Sequence, residues 1–167
     1  MATLGGCIGT AIARGTANDF AKEFDAHDVK AISARYAPDV VLTEPDGRKI
    51  VGREKVAEYF RTFFARVPDA KMEVVDVDLT SIGDGYLTIV KSRISSGGRS
   101  VALRSVTKAR KVAGEYLVYE TSWSTDPPFS ELSGAARAPA AAGACAGNRD
   151  CAESQVCYAG RCENPGL

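Results

Sequence analysis

The sequence predicts an α+β domain in which three helices lie on one face of a curved antiparallel sheet. Apolar side chains recur at helical spacing up to about residue 67, and apolar and polar side chains alternate over much of residues 71–125. Glycine-containing turns divide the alternating half into four segments of hairpin spacing. Helices followed by a run of antiparallel strands are typical of the α+β class.

The composition is that of a globular chain without a dominant charge. The 167 residues are 45% hydrophobic, and 21 basic residues balance 21 acidic ones. A chain of this length can bury one good core. Zero net charge gives no general attraction to nucleic acid, and no apolar run reaches the roughly 20 residues that span a bilayer. We therefore expect no nucleic-acid partner, no metal and no cofactor.

Capping residues predict the first two helices. Thr16 and Asp19 form a capping box of the [ST]-x-x-[DE] type, which predicts a helix start at Thr16. After a short break, Asp28 caps a second helix that runs to Tyr36. Proline cannot continue a helix, so the second helix is expected to stop at Pro38.

A short strand, a turn and a third helix follow. The strand is predicted at residues 40–43, and residues 45–47 read Pro-Asp-Gly, a turn in which proline fixes φ and glycine accepts positive φ. The third helix is predicted over residues 53–66, and Pro68 ends it. Its apolar stripe consists of Val56, Tyr59, Phe60, Phe63 and Val67. The four longer strands are predicted at 71–81, 85–96, 99–111 and 115–125.

Composition divides the chain into four segments. Residues 1–15 are an N-terminal tail or the remnant of an export signal, residues 16–128 the α+β domain, residues 129–144 an Ala/Pro-rich linker and residues 145–162 a cysteine-rich module. Residues 11–13 read Ala-Ile-Ala, the pattern of a signal-peptidase site. Residues 4–7 resemble a lipobox, in which Cys7 is a candidate for lipidation and for a membrane tether. A loose tail of small residues is the alternative.

Four of the five cysteines crowd into the polar C-terminal segment. They are Cys145, Cys151, Cys157 and Cys162. The segment is too short to build a core, so we expect these cysteines to form two disulfides in an oxidising, extracytoplasmic compartment. Three pairings are open. Zinc binding and free thiols are the alternatives, and zinc is the weaker interpretation because the spacing lacks two separated cysteine pairs.

Several motifs in residues 16–126 resemble the nuclear transport factor 2-like superfamily, in its SnoaL-like and ketosteroid-isomerase-like branch. The motifs are the break at His27-Asp28, the segment APDVVLTEPDG, the GRE that opens the third helix, and GEYLVYETSWS near the end of the domain. The resemblance implies a cone in which a curved sheet wraps around the helices and leaves an apolar cavity. Because members of this superfamily differ in activity, the resemblance alone assigns none.

The resemblance also implies which residues line the cavity. The candidates are Phe20, Phe24, Tyr36, Phe60, Phe63, Tyr119 and Trp123. Each of these aromatic residues has the alternative of simple core packing. Arg104 is a further candidate. It alternates with Leu103 and Ser105 along its strand, so its side chain points into the cavity in one of the two possible registers, and the sequence leaves the register open.

Glu44 is the candidate catalytic residue. It stands where ketosteroid isomerases carry their general-base aspartate, also directly before a proline. A carboxylate at the end of a buried strand loses hydration, which suits it to accept and release a proton near neutral pH. The positions that match the isomerase oxyanion donors hold Phe20 and Val106, which have no acidic group, so steroid isomerisation is not expected. The alternative is an ion pair of Glu44 with Arg48, Lys49 or Arg53.

Seven basic residues lie between positions 91 and 111 with no acidic residue among them. They are Lys91, Arg93, Arg99, Arg104, Lys108, Arg110 and Lys111. Cross-strand ion pairs on a solvated sheet face would account for them. An anionic ligand or an acidic partner is the alternative.

Three functions are compatible with these observations. The first is an exported domain that binds a small, largely apolar molecule in the cone. The second is an enzyme of the isomerase, cyclase or dehydratase type that uses Glu44 as general base. The third is a homodimeric association module, and we expect a homodimer in any of the three cases.

Overall fold

The structure, a computed structural model, describes residues 5–133, 156–158 and 161–163. The chain forms two compact units, residues 1–134 and residues 135–167. The first unit contains three helices, α1 (Gly5–Asp25), α2 (Val29–Ala34) and α3 (Arg53–Arg66). Its strands are β1 (Tyr36–Thr43), β2 (Lys49–Val51), β3 (Lys71–Ile82), β4 (Gly85–Ser96), β5 (Arg99–Val112) and β6 (Glu115–Asp126), and a single 3-10 turn, Phe129–Glu131, follows β6.

The six strands form one open sheet in the order β2-β1-β6-β5-β4-β3. β1 and β6 are parallel, and the other neighbouring strands are antiparallel. Parallel pairing needs a long crossover, and here α3 and four further strands separate β1 from β6 along the chain. The predicted α+β class is confirmed, with a mixed sheet in place of a purely antiparallel one and with the additional strand β2.

The sheet is curved, and two β-bulges contribute to its curvature. Val75 is the extra residue in the β3–β4 ladder, and Tyr119 is the extra residue in the β5–β6 ladder. A bulge bends its strand and increases the local twist. The four predicted long strands agree with β3 to β6 within one residue at each end. Turn residues with positive φ, including Gly83, Gly97 and Gly114, separate them as predicted.

The predicted start of the first helix at Thr16 is wrong. Helix α1 begins at Gly5, and the Thr16 hydroxyl donates a hydrogen bond to the carbonyl of Ile12, one turn earlier. Asp19 forms an ion pair with Lys22 at 2.8 Å. The capping box therefore lies within a longer helix, which tertiary packing extends beyond the local signal.

The predicted end of the second helix is also wrong, whereas its start is confirmed. The Asp28 carboxylate accepts a hydrogen bond from the backbone N–H of Ala31 at 2.9 Å, as an N-cap does. Helix α2 ends at Ala34, and Tyr36 already belongs to β1. Pro38 lies within β1, in the stretch where the register against β6 shifts. A missing N–H is tolerated there because the ladder is irregular.

The hydrophobic core lies between α2, α3, the second half of α1 and the inner face of the sheet. Phe24, Ile32, Leu42, Val56 and Phe60 are each at most 2% exposed. The turn at residues 45–47 forms as predicted, with Gly47 at a φ of 85°. Helix α3 has the predicted bounds.

The second unit is described only over two short strands. β7 (Val156–Tyr158) pairs with β8 (Arg161–Glu163) in an antiparallel ladder that places Cys157 opposite Cys162. Cys145, Cys151 and the side chain of Cys7 lie outside the described part of the chain. The disulfide and lipidation interpretations therefore stay predictions. Within the described residues, no helix has the length and apolar character needed to cross a membrane.

Candidate functional site

A cavity of about 470 Å³ lies between α1 and the inner face of the sheet. Its floor is formed by every second residue of β4 and β5, because side chains on a strand point alternately to opposite faces. These residues are Tyr86, Thr88, Val90 and Ser92 on β4 and Leu103, Ser105, Thr107 and Ala109 on β5. The volume is within the range of small-molecule sites, roughly 300–1,000 Å³.

The cavity is elongated along the strands. Tyr86 and Ser92 both line it and are six residues apart on β4, so the lined stretch is about 20 Å at 3.3 Å per residue. On the opposite side, Gly9 and Phe20 of α1 both line it. Eleven residues of helix span about 16 Å. The cavity therefore fits an extended molecule better than a compact one.

Helix α1 covers the cavity through one stripe of its surface. The stripe consists of Gly9, Ile12, Ala13, Thr16, Ala17 and Phe20, which recur at three- and four-residue spacing. A Cβ atom on Gly9 would stand 3.2 Å from the Leu79 side chain, so the small residue permits close approach of α1 to β3. Ile12 is 65% exposed and lines the cavity at the same time, which places it at the rim.

Hydroxyl groups form the polar part of an otherwise apolar lining. Thr107 and Thr121 share a hydrogen bond of 2.9 Å between their Oγ1 atoms, and Thr121 is only 2% exposed. Tyr36 is 5% exposed and also lines the cavity. Burial raises the pKa of Tyr36, because the phenolate would lose its hydration. Tyr36 therefore presents a neutral hydroxyl over the physiological pH range.

Arg35 is the one formally charged residue among the described cavity-lining residues, and it is paired. Its Nε and Nη2 atoms donate to the two carboxylate oxygens of Glu23 at 2.6 and 2.7 Å. The hydrogen bond to Glu23 raises the pKa of Arg35, so the guanidinium stays protonated and engaged. The cavity thus offers no free charge to a ligand within the described part of the chain.

Glu44 lies on the same face of β1 as Leu42, just beyond the end of the strand, and is 8% exposed. Its carboxylate forms an ion pair with Arg48, and its backbone N–H donates to the carbonyl of Arg48 at 2.9 Å. The Glu44 carbonyl accepts from the N–H of Gly47, also at 2.9 Å. Glu44 does not belong to the cavity lining. Of the partners considered for it, the structure places Arg48 against it.

The neighbour of Glu44 on α3 is Tyr59. Burial raises the pKa of Tyr59, and the negative charge of Glu44 raises it further. The Tyr59 ring packs against Trp123 with 5.8 Å between ring centroids. Tyr59 therefore interacts with Glu44 electrostatically and with the cavity-lining Trp123 by ring packing.

Comparison with known proteins identifies the family. The sequence model of the SnoaL-like domain matches residues 17–118. This chain belongs to the SnoaL-like domain family. No curated protein matches the sequence. The matched range leaves out the first three turns of α1, which cover part of the cavity in this SnoaL-like domain.

Solved structures agree on the fold. A nuclear transport factor 2-like protein from Pseudomonas putida KT2440 has a TM-score of 0.63 at 17% identity, with 71% of this chain and 87% of that chain covered. A ketosteroid isomerase-like protein from Erwinia carotovora atroseptica SCRI1043 has a TM-score of 0.58 at 23% identity, with 71% and 97% covered. A protein with a cystatin-like fold from Caulobacter vibrioides has a TM-score of 0.61 at 15% identity, with 74% and 94% covered. At these identities the likeness shows the fold alone.

The SnoaL-like domain places its candidate aromatic residues in two groups. Phe20, Tyr36 and Trp123 line the cavity. Phe24, Phe60 and Phe63 instead pack in the core beneath it, where the rings of Phe24 and Phe63 are 5.7 Å apart. The second group is absent from the cavity lining, so apolar spacing on a helix did not distinguish core from cavity.

Tyr119 and Arg104 do not reach the cavity. Tyr119 is the bulged residue of β6, and the Arg110 guanidinium lies over its ring at 5.1 Å from the centroid. Arg104 is exposed and lies between Leu103 and Ser105, which both face the cavity. Alternation along the strand therefore directs Arg104 to the outer face.

Four of the seven clustered basic residues form ion pairs on the outer face of the sheet. Lys91 pairs with Asp76, Arg93 with Glu73, Lys108 with Glu120 and Arg110 with Asp39, at 2.8 to 3.0 Å. For these residues the predicted ion pairing is confirmed. Arg110 and Lys91 lower the pKa of Asp39 and Asp76 respectively, chiefly through hydrogen bonds to the carboxylates.

Sequence reasoning missed the α1 stripe and the hydroxyl-bearing floor. The signal for the floor was present, because β4 and β5 alternate small or hydroxyl residues with long charged or apolar ones. Thr107 lies between Val106 and Lys108, and only Thr107 faces inward. The hydroxyls and the charges therefore lie on opposite faces of the same strands.

Proposed function

We propose that this SnoaL-like domain binds a small, uncharged and largely apolar molecule between α1 and the sheet. The observation that carries the proposal is the elongated 470 Å³ cavity, whose described lining is apolar apart from hydroxyls and the paired Arg35. Burying apolar ligand surface there is favourable by about 25 cal/mol per Å². A charged ligand would lose its hydration without gaining a free counter-charge.

The surroundings of Glu44 support binding in preference to catalysis. Its carboxylate is engaged by Arg48, and Glu44 is not among the described residues that line the cavity. A general base must come within about 3 Å of the proton that it removes, or reach it through one water. In our proposal Glu44 therefore stabilises the turn after β1.

The binding proposal is tested by ligand-dependent thermal stabilisation of the purified chain. The probes are a panel of neutral lipophiles that includes undecane and 4-undecanone, and we expect at least one to raise the melting temperature in a dose-dependent way. Ala13→Leu should abolish the shift, because leucine would fill the cavity beneath α1. Ala11→Leu is the matched control, since Ala11 is exposed and lies off the lining.

Two results would contradict the proposal. One is a panel in which no neutral lipophile shifts the melting temperature. The other is a shift that Ala13→Leu and Ala11→Leu leave equally intact, because the ligand would then bind elsewhere.

We also propose that the domain acts outside the cytoplasm. The support is the cluster of cysteines in the second unit, in which Cys157 lies opposite Cys162 in the β7–β8 ladder. Directly opposite residues of an antiparallel pair have Cα atoms about 4.5–5.5 Å apart, within the range of disulfides. Intact mass before and after reduction tests this, since each disulfide gains two hydrogen atoms. An unchanged mass after isolation from an oxidising compartment would contradict it.

A further inference from the structure

A row of three threonines crosses the cavity floor. Thr88 on β4 is the register partner of Thr107 on β5, and Thr107 is the register partner of Thr121 on β6. All three line the cavity. We call them the threonine row. Three adjacent strands thus present hydroxyls at one level of an apolar cavity.

The threonine row has more hydroxyl protons than the hydrogen bond within it uses. The hydrogen bond between Thr107 and Thr121 uses one hydroxyl proton, and each hydroxyl has one. No second partner within the described residues accepts the remaining proton of this pair, nor that of Thr88. The row therefore offers donors to a molecule lying on it. Leaving a buried donor without an acceptor is unfavourable, so a ligand that supplies one is preferred.

The row lies off-centre along the cavity. Along β4, Thr88 lies two residues from Tyr86 at one end of the lined stretch and four residues from Ser92 at the other. Two residues of strand span about 6.6 Å. A ligand acceptor on the row would therefore have a short apolar arm toward Tyr86 and a longer one toward Ser92.

We infer that the threonine row is a subsite for an uncharged carbonyl oxygen placed within the chain of an elongated apolar molecule, as in an internal ketone or an ester. This inference rests on the proposed function and specifies its ligand class. The neutral hydroxyls of the row suit a carbonyl acceptor. A carboxylate at this level would be buried without a free cation, since Arg35 is held by Glu23.

Trp123 gives a direct readout, because it lines the cavity and is the only tryptophan of the chain. The probes are 4-undecanone, which carries its carbonyl off-centre, and undecane, which has the same carbon number and no oxygen. Each is titrated against the wild type and against the double variant Thr107→Val with Thr121→Val. Replacing both partners of a buried hydrogen bond by apolar groups of the same shape is close to neutral for folding.

The double variant should bind 4-undecanone about threefold to tenfold more weakly and undecane no more weakly than the wild type does. Thr107→Ser with Thr121→Ser retains the hydroxyls and should retain the ketone affinity. Thr80→Val, on the exposed side of β3, is the control for a threonine outside the cavity.

The outcomes separate the inference from the proposed function. If neither probe changes the Trp123 fluorescence in a saturable way, the proposed function fails. If both probes bind but the double valine variant affects them equally or not at all, the threonine-row subsite is wrong while the binding function stands. A loss of ketone affinity in the serine variant as large as in the valine variant would also overturn the subsite.

Discussion

Glu44 is a buried carboxylate whose partner is largely in solvent. The Glu44 side chain is 9% exposed, whereas that of Arg48 is 66% exposed. The two residues stand on either side of the 45–47 turn, and backbone hydrogen bonds close the same turn. The ion pair therefore links the end of β1 to the start of β2, and its energy is limited by the exposure of Arg48.

Replacing Glu44 and replacing Arg48 should lower the free energy of unfolding by different amounts. Glu44→Gln keeps the shape and removes the charge, so we expect it to lower the free energy of unfolding by less than about 1 kcal/mol. Arg48→Met leaves the buried carboxylate unpaired and should cost more than Glu44→Gln. Denaturant unfolding of both variants measures this. A larger loss for Glu44→Gln, or a loss of ligand affinity in that variant, would contradict the structural role.

The buried Tyr36 predicts how the free energy of unfolding depends on pH. Burial raises its pKa above the ordinary tyrosine value, so the unfolded chain releases the phenolic proton at lower pH than the folded chain. Below that range both states keep the proton and the group adds no pH dependence. As the pH rises above about 10, the free energy of unfolding should fall.

Tyr36→Phe tests this prediction, because phenylalanine has no ionisable group. Its free energy of unfolding should fall less steeply than that of the wild type between about pH 9 and 11. The double variant with Tyr59→Phe should be flatter still, since burial also raises the pKa of Tyr59. Parallel stability curves for wild type and Tyr36→Phe would contradict the assignment.

At the level of elements, α1 both contributes to the core and covers the cavity. Its second half carries the core residue Phe24, and its first half supplies the cavity residues from Gly9 to Thr16. The first half has fewer buried side chains, since Ile12 and Thr16 are exposed. This half of α1 should therefore open more readily than the rest of the helix.

Ligand binding should slow hydrogen exchange in the first half of α1. At a ligand concentration 100 times Kd, binding stabilises the bound state by about 2.7 kcal/mol, which corresponds to a roughly 100-fold slowing where opening releases the ligand. The amides of residues 9–17 should show this effect with 4-undecanone, and those of Arg53–Arg66 should show less. Equal exchange with and without ligand in residues 9–17 would contradict the role of α1.

The elements that sequence predicted well are those fixed by local signals. The turns around Gly83, Gly97 and Gly114 set the limits of β3 to β6, because positive φ is readily adopted by glycine. The start of α1 at Gly5 and the end of α2 at Ala34 carry no comparable local signal. Pro38 misled the prediction because its strand is irregular at that point.

The sequence predicted that the domain contains a cavity, but it did not predict the full set of residues that line the cavity. The resemblance to the superfamily indicated a cone, and Phe20, Tyr36 and Trp123 do line it. Which side of a strand faces inward depends on the register and on the bulge at Tyr119, which reverses the alternation in β6. Arg104 and Tyr119 are absent from the cavity lining for this reason.

At the scale of the whole molecule, the outer face of the sheet is the surface through which we expect two copies of the chain to associate. Four half-buried apolar residues lie there among the ion pairs: Leu87, Ile89, Val106 and Leu117. A two-fold interface joins the same patch on both copies, with an apolar centre and a polar rim. Homodimerisation through this face stays a prediction.

Sedimentation equilibrium tests the prediction of a dimer. We expect the wild type to sediment as a dimer at high micromolar concentration, and Val106→Glu to sediment as a monomer because it would bury a charge between the two sheets. Thr107→Val, one residue away on the inner face, is the matched control and should leave the dimer intact. A monomeric wild type would contradict the prediction without affecting the cavity.

The central claim is that a neutral apolar molecule lies between α1 and the threonine row. Intermolecular NOEs between bound 4-undecanone and the methyl groups of the chain test it most directly. We predict NOEs to Thr107, Thr121 and Leu103, and none to Val106 or Ile89 on the opposite face of the sheet. NOEs confined to Val106 and Ile89, or none under saturating ligand, would contradict the account.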